Sequence, residues 1–180
     1  AIRRAIRAGV KSIEHGQLID EPTMKLIAEK GVWLSMQPFI GEGNNHYTNP
    51  VQQAKHELVV QGTDRAYQLA KKYGVKLAWG TDLLFSPANA RNQNLNIEKM
   101  TRWFSNFEIL KMITHDNAEL LALSGRRNPY PGKLGVIEEG ALADLIVVDG
   151  NALEDIKVLT DPGKNMLLIM KDGKIYKNDL

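Results

Sequence analysis

One phrase recurs three times in this chain: a helix-like segment closes on Gly-Val, and a short apolar run of strand type follows. The copies are Gly9-Val10-Lys11-Ser12-Ile13-Glu14-His15-Gly16, Gly31-Val32-Trp33-Leu34-Ser35-Met36-Gln37-Pro38 and Gly74-Val75-Lys76-Leu77-Ala78-Trp79-Gly80-Thr81-Asp82. Glycine suits the left-handed position just past a helix C-terminus. Helix alternating with strand is the pattern of a parallel sheet with covered faces. A closed α/β barrel takes eight such units and about 250 residues. With three units in 180 residues, this chain would supply less than half of one.

Around these phrases the sequence predicts the following elements. Ile2, Ala5 and Ile6 share one face of an opening helix that stops at Gly9, and residues 10–14 follow as a short buried strand. Asp20 caps a second helix that tolerates Pro22 in its first turn and turns Met24, Ile27 and Ala28 inward. Residues 32–36 form the second strand, closed by Pro38, and 39–50 form a long Gly- and Asn-rich loop of the kind that carries substrate contacts. A long helix over 51–73, a third strand over 75–79 and an irregular stretch over 83–96 come next. Helices are expected over 97–104 and 107–123, the latter capped by Asn106. From Gly125 the texture changes to short β-type runs, 142–148, 166–170 and 174–177, with Asp172-Gly173 as a type I′ hairpin signal. The expected division is therefore 1–124 for the αβ units and 125–180 for a small β module.

The bulk composition excludes several classes. A formal charge of +2 and the lack of any basic run argue against a nucleic-acid partner. No apolar stretch reaches the 18 residues needed to span a membrane. Without cysteine there is no disulfide framework, thiolate metal site or cysteine nucleophile. The chain starts in what reads as the middle of an amphipathic helix, with no initiator Met, cap or signal peptide, so the expectation is the later part of a longer protein.

Two of the three runs end on residues that bind metals and move protons, His15 and Asp82. In α/β barrels, catalytic residues stand where strands end. His15, with Gly16 leaving room beside it, suits a zinc ligand, although a hydrogen-bonded loop histidine satisfies the same spacing. Asp82 either ligates a metal and takes the proton from water or simply caps the turn after its strand. His46 lies in the long loop, where it meets substrate or solvent; His56 reads as a surface helix residue, and His115 as a structural hydrogen-bond partner. Arg91 is a clamp for a substrate carboxylate or a solvent-facing side chain. A Gly-x-Ser-x-Gly elbow, a phosphate-cradling loop with Lys and a His-Glu-x-x-His motif are all lacking.

Taken together these residues resemble the amidohydrolase superfamily, in its imidazolonepropionase-like and Xaa-Pro dipeptidase-like branch. Ile13-Glu14-His15-Gly16 is similar to the motif at strand six whose histidine ligates metal, and Trp79-Gly80-Thr81-Asp82 to the strand-eight motif whose aspartate is ligand and proton shuttle. Thr114-His115-Asp116-Asn117-Ala118-Glu119-Leu120-Leu121 resembles the helix after the barrel, with Ala122 where a glycine is common. The run from Gly135 to Val148 resembles the return into a composite β-sandwich domain. The resemblance implies the C-terminal part of a (β/α)8 TIM barrel, strands six to eight, plus part of that sandwich. It implies a divalent metal, zinc first, as one or two ions in the intact protein, held here only by His15 and Asp82. The family's His-x-His pair, carboxylated lysine and strand-five histidine would precede residue 1.

The implied reaction is hydrolysis of an amide or dipeptide by metal-activated water, with Asp82 as catalytic residue and Gln37, Phe39, His46 and Arg91 at the substrate. Two alternatives accompany it. The chain could be a catalytically incomplete piece that self-associates as a homo-oligomer or pairs with the N-terminal half of the barrel. A lactonase or phosphotriesterase-like hydrolase would use the same residues.

Overall fold

The Gly-Val phrases act first as helix terminators. In the computed structural model, which describes residues 1–41, 47–83 and 87–180, the three glycines all take left-handed φ, +92° at Gly9, +60° at Gly31 and +62° at Gly74. Each glycine N–H bonds the carbonyl three residues back, and each valine N–H bonds the carbonyl five back: Val10 to Ala5, Val32 to Ile27 and Val75 to Ala70. That is the Schellman closure, which satisfies the last orphan carbonyls of a helix. It also explains why the strands are shorter than the sequence predicts. Val10, Val32 and Val75 are spent on the helix ends, so pairing starts later, at Ser12, Trp33 and Leu77.

The described residues fall into two units, Ala1–Gly80 and Thr81–Leu180. The first runs α1 (Ile2–Arg7), β1 (Ser12–Glu14), α2 (Glu21–Glu29), β2 (Trp33–Met36), α3 (Pro50–Tyr73) and β3 (Leu77–Trp79). The three strands make a parallel sheet in the order β1-β2-β3, with Ser12 opposite Trp33 and Leu34 opposite Leu77. The central strand β2 is buried at all four residues, as a strand covered on both faces must be.

Asp20 caps α2 as the sequence predicts, its Oδ1 accepting from the Thr23 N–H at 2.9 Å, with Pro22 in the first turn. Arg3 of α1 donates to the same carboxylate at 2.8 Å. The Thr23 hydrogen bonds and then the Arg3 guanidinium hold the Asp20 carboxyl down at about 2. The core gathers Met24 and Ile27 from α2, Leu34 and Met36 from β2, and Ala66, Tyr67 and Ala70 from α3. Burial pushes the Tyr67 phenol above its usual range.

At Gly62 α3 lies hard against the loop after β1. A Cβ there would stand 2.4 Å from the carbonyl oxygen of Gln17 and 2.9 Å from Leu18 Cδ2. Only glycine lets the helix lie this near, and the loop after β1 is pinned beneath it.

The second unit begins with α4 (Pro87–Arg91), α5 (Leu95–Lys99) and a 3-10 turn over Met100–Arg102. The stretch expected to be irregular up to residue 96 therefore holds short helix. The next helix is capped by Ser105, not Asn106: the Ser105 hydroxyl accepts from the Glu108 N–H at 3.3 Å while the Glu108 carboxylate accepts from the Ser105 N–H at 2.8 Å. Such a capping box satisfies two orphan donors at once. Asn106, expected as the cap, instead donates to the Leu153 and Glu154 carbonyls. The expected single helix breaks into α6 (Asn106–Lys111), a π-turn at Met112–Asp116 and α7 (Asn117–Ala122).

The β module is a three-stranded antiparallel sheet, β4 (Leu145–Val148), β5 (Met166–Lys171) and β6 (Lys174–Asn178), with α8 (Pro162–Asn165) leading into β5. β4 starts three residues later than the sequence predicts because Leu142 and Asp144 are held in a turn, Asp144 N bonding Leu142 O. Asp172 and Gly173 both take left-handed φ, +49° and +73°, as a type I′ turn demands. The Asp144 carboxylate accepts from the Asp172 N–H at 2.6 Å and latches the hairpin. The architecture is α/β with one parallel and one antiparallel sheet among the described residues.

Candidate functional site

The parallel strands end, and the backbone changes hand. His15 follows β1 directly with φ +68°, and Asp82, three residues past β3, has φ +54°. Among the described residues only one other non-glycine residue is left-handed, Asp172, where the hairpin requires it. A left-handed residue with a side chain costs about 1–3 kcal/mol and persists where its surroundings over-determine it, often at functional sites. Histidine and aspartate are among the residues that tolerate it best. The two positions that the sequence singles out for their chemistry are thus two of the three left-handed non-glycine residues among those described.

His15 is held from several sides. Its N–H bonds the Ser35 carbonyl at 2.8 Å, which extends the β1–β2 ladder by one residue. Gly16, at φ +82°, turns the chain inward so tightly that a Cβ would meet Ile19 Cδ1 and Leu34 Cδ1 at 2.7 Å. The ring Nδ1 lies 2.9 Å from Oε1 of Gln37, and Gln17 Nε2 donates to the same oxygen at 3.2 Å. Gln17 and Gln37 are both buried, at 6% exposure, while His15 is exposed. A carbonyl oxygen only accepts, so the ring nitrogen facing it acts as the donor, and in a neutral ring that leaves the lone pair on Nε2.

The remaining expected site residues are dispersed. Phe39 is half-buried and lines an open hollow of about 390 Å³ with Tyr47, Gln52, Lys55, His56 and Val59. The Tyr47 and His56 rings tilt against each other at 5.5 Å between centroids. His56 is half-buried on α3, which starts at the Asn49 cap, whose side chain accepts from the Val51 N–H at 2.9 Å. His46 lies outside the described residues. Asp82 and Arg91 belong to the second unit, both exposed, Arg91 as the last residue of α4. His115 makes the structural bond the sequence predicts, its Nδ1 2.8 Å from Asp116 Oδ1, and Lys111 pairs with the same carboxylate.

Tested against a metal, the donors fit in kind. An imidazole with its lone pair on Nε2 and a carboxylate at a strand end are both zinc-type ligands. They fall short in number, because a zinc centre takes three or four protein ligands. Among the described residues no three His, Asp or Glu side chains gather to hold a metal ion. No described helix is long and apolar enough to cross a membrane.

Comparison with known proteins bears directly on this arrangement. The model of the Amidohydrolase family matches residues 1–176. Ochratoxinase of Aspergillus niger is 33% identical over 180 residues, which is 98% of this chain and 36% of that protein. A prolidase complexed with N-methylphosphonate-L-proline is 33% identical with a TM-score of 0.82, covering 98% of this chain and 42% of the other. A Xaa-Pro dipeptidase with bound methionine in its active site is 31% identical with a TM-score of 0.79, over 98% and 42% of the two chains. This chain therefore spans little more than a third of the curated relative it matches.

Proposed function

Because the chain belongs to the amidohydrolase family, a family of hydrolases, we propose that it supplies the late strands of a metal-dependent enzyme that cleaves amide bonds with activated water. The observation that carries this reading is the left-handed His15, held directly after a parallel strand with its Nδ1 bonded to Gln37. On this reading β1, β2 and β3 are strands six to eight of a closed (β/α)8 barrel, with 1–124 as the barrel part and 125–180 as part of a composite β-sandwich domain. The outer strands β1 and β3 then pair with further strands, either from the N-terminal half of the barrel or from a second copy.

His15 would hold the ion through Nε2, and Asp82 through its carboxylate. A divalent metal such as zinc, when bound, polarises the scissile carbonyl and brings the pKa of water toward about 7. Asp82 takes the proton from the attacking water as general base. It then returns that proton to the leaving amine nitrogen as general acid, so one carboxylate serves both halves of the reaction. Phe39 and its neighbours around the hollow, together with His46, shape the substrate side, and the Arg91 fork meets a substrate carboxylate.

The substrate class we propose is a dipeptide or an N-acyl amide of an amino acid, in keeping with the prolidase and Xaa-Pro dipeptidase neighbours. The test is hydrolysis of a panel of Xaa-Pro dipeptides by the zinc-loaded protein, before and after chelation. Turnover that disappears with the metal and returns on its addition supports the reading. Turnover that is indifferent to metal, or that survives Asp82→Asn, overturns it.

A further inference from the structure

The amides of Gln17 and Gln37 are too deeply placed to be incidental. Each is at 6% exposure, and a buried amide costs free energy unless its hydrogen bonds are made. Neither could drift cheaply. Gln37 directly follows the fully buried strand β2, and its carbonyl accepts from the Phe39 N–H at 3.0 Å. Gln17 is pinned by α3, which closes on its carbonyl oxygen at Gly62. Between them they place one oxygen, Gln37 Oε1, where both of its lone pairs are used, one by Gln17 Nε2 and one by the His15 ring.

We infer that Gln37, braced by Gln17, is a positioning residue that holds His15 in the Nδ1–H form and so makes Nε2 its ligand nitrogen. The inference rests on the proposed role of His15 at the metal. An imidazole in water exchanges between two neutral forms, and only one of them has its lone pair on Nε2. Fixing the form in advance removes that choice and orients the ring, the service that outer partners give to metal-bound histidines. Turning both amides over would invert the pattern: Gln37 would donate to Nδ1, and the hydrogen would move to Nε2.

The experiment is nitrogen NMR of the histidine rings in the whole chain, at a pH where the rings are neutral, with His15 identified by loss of its signals in His15→Asn. The expected result is a protonated Nδ1 and an unprotonated Nε2. Gln37→Met, similar in length but without the acceptor, shifts His15 toward the Nε2–H form, and Gln37→Glu restores Nδ1–H. Zinc titrated into the same samples binds about 10- to 100-fold more weakly to Gln37→Met, with recovery in Gln37→Glu. A wild-type His15 protonated at Nε2, which requires no variant to measure, overturns the inference, as does a tautomer unchanged in Gln37→Met. Zinc that leaves both His15 nitrogens unmoved in the wild type overturns instead the ligand role on which the inference stands, whatever the tautomer.

Discussion

Replacing Gly62 by alanine should destabilise this protein, although the usual effect of glycine to alanine inside a helix is the reverse. Gly62 lies within α3, Pro50–Tyr73, where alanine is favoured by about 1 kcal/mol on intrinsic propensity. Against that gain stands a Cβ placed 2.4 Å from the Gln17 carbonyl oxygen and 3.1 Å from its carbon. An ordinary contact begins near 3.4 Å, so the helix and the loop would have to part by about 1 Å. A side chain could rotate away, as Leu18 Cδ2 can, but a backbone carbonyl cannot. Overpacking of this kind costs about 1–3 kcal/mol, and a backbone neighbour puts the cost near the upper end. The net expectation is a loss of about 1–2 kcal/mol, read as a lower urea midpoint at unchanged slope. The same displacement should disturb Gln17 and, through Gln37, the ring signals of His15. A stability that rises by about 1 kcal/mol, read as a higher urea midpoint at unchanged slope, would refute the close approach and the reasoning built on it.

Three further expectations follow from individual positions. Asp82→Asn keeps a residue that tolerates the left-handed backbone, so the melting temperature should hold while amide hydrolysis by the metal-loaded enzyme falls by about 100-fold or more. Asp20 has its carboxyl lowered from 3.8 to about 2 in the folded chain, so its contribution is complete above pH 3.8 and is lost as the pH falls toward 2. Asp20→Asn preserves the helix cap but removes this proton linkage, and urea midpoints measured across that window should vary less with pH than in the wild type. Gly173→Val, at φ +73° in the hairpin, should cost about 1–2 kcal/mol in thermal unfolding, whereas Gly173→Asn should cost much less.

The Gly-Val phrases illustrate how far local reading reaches. They announced three helix ends correctly, because a left-handed glycine and the two bonds that follow it involve only neighbouring residues. They misplaced the strand starts for the same reason: a valine that looks like the first strand residue is the last partner of the helix. Ser105 was legible as a cap only together with Glu108, and Asn106 drew attention because its chemistry alone also fits that position.

What the sequence determined by itself was the α/β alternation, the turns and the identity of His15 and Asp82 as the residues with chemistry to offer. Each of these follows from residue type and short spacing. Tertiary structure alone decided that Gln17 and Gln37 meet at one oxygen beside His15, that Gly62 must be glycine, and that Tyr47 and His56 share a hollow with Phe39. Those contacts join residues 8 to 45 positions apart. No periodicity records them, since they come into being only when strands pair and a helix packs across the chain that precedes it.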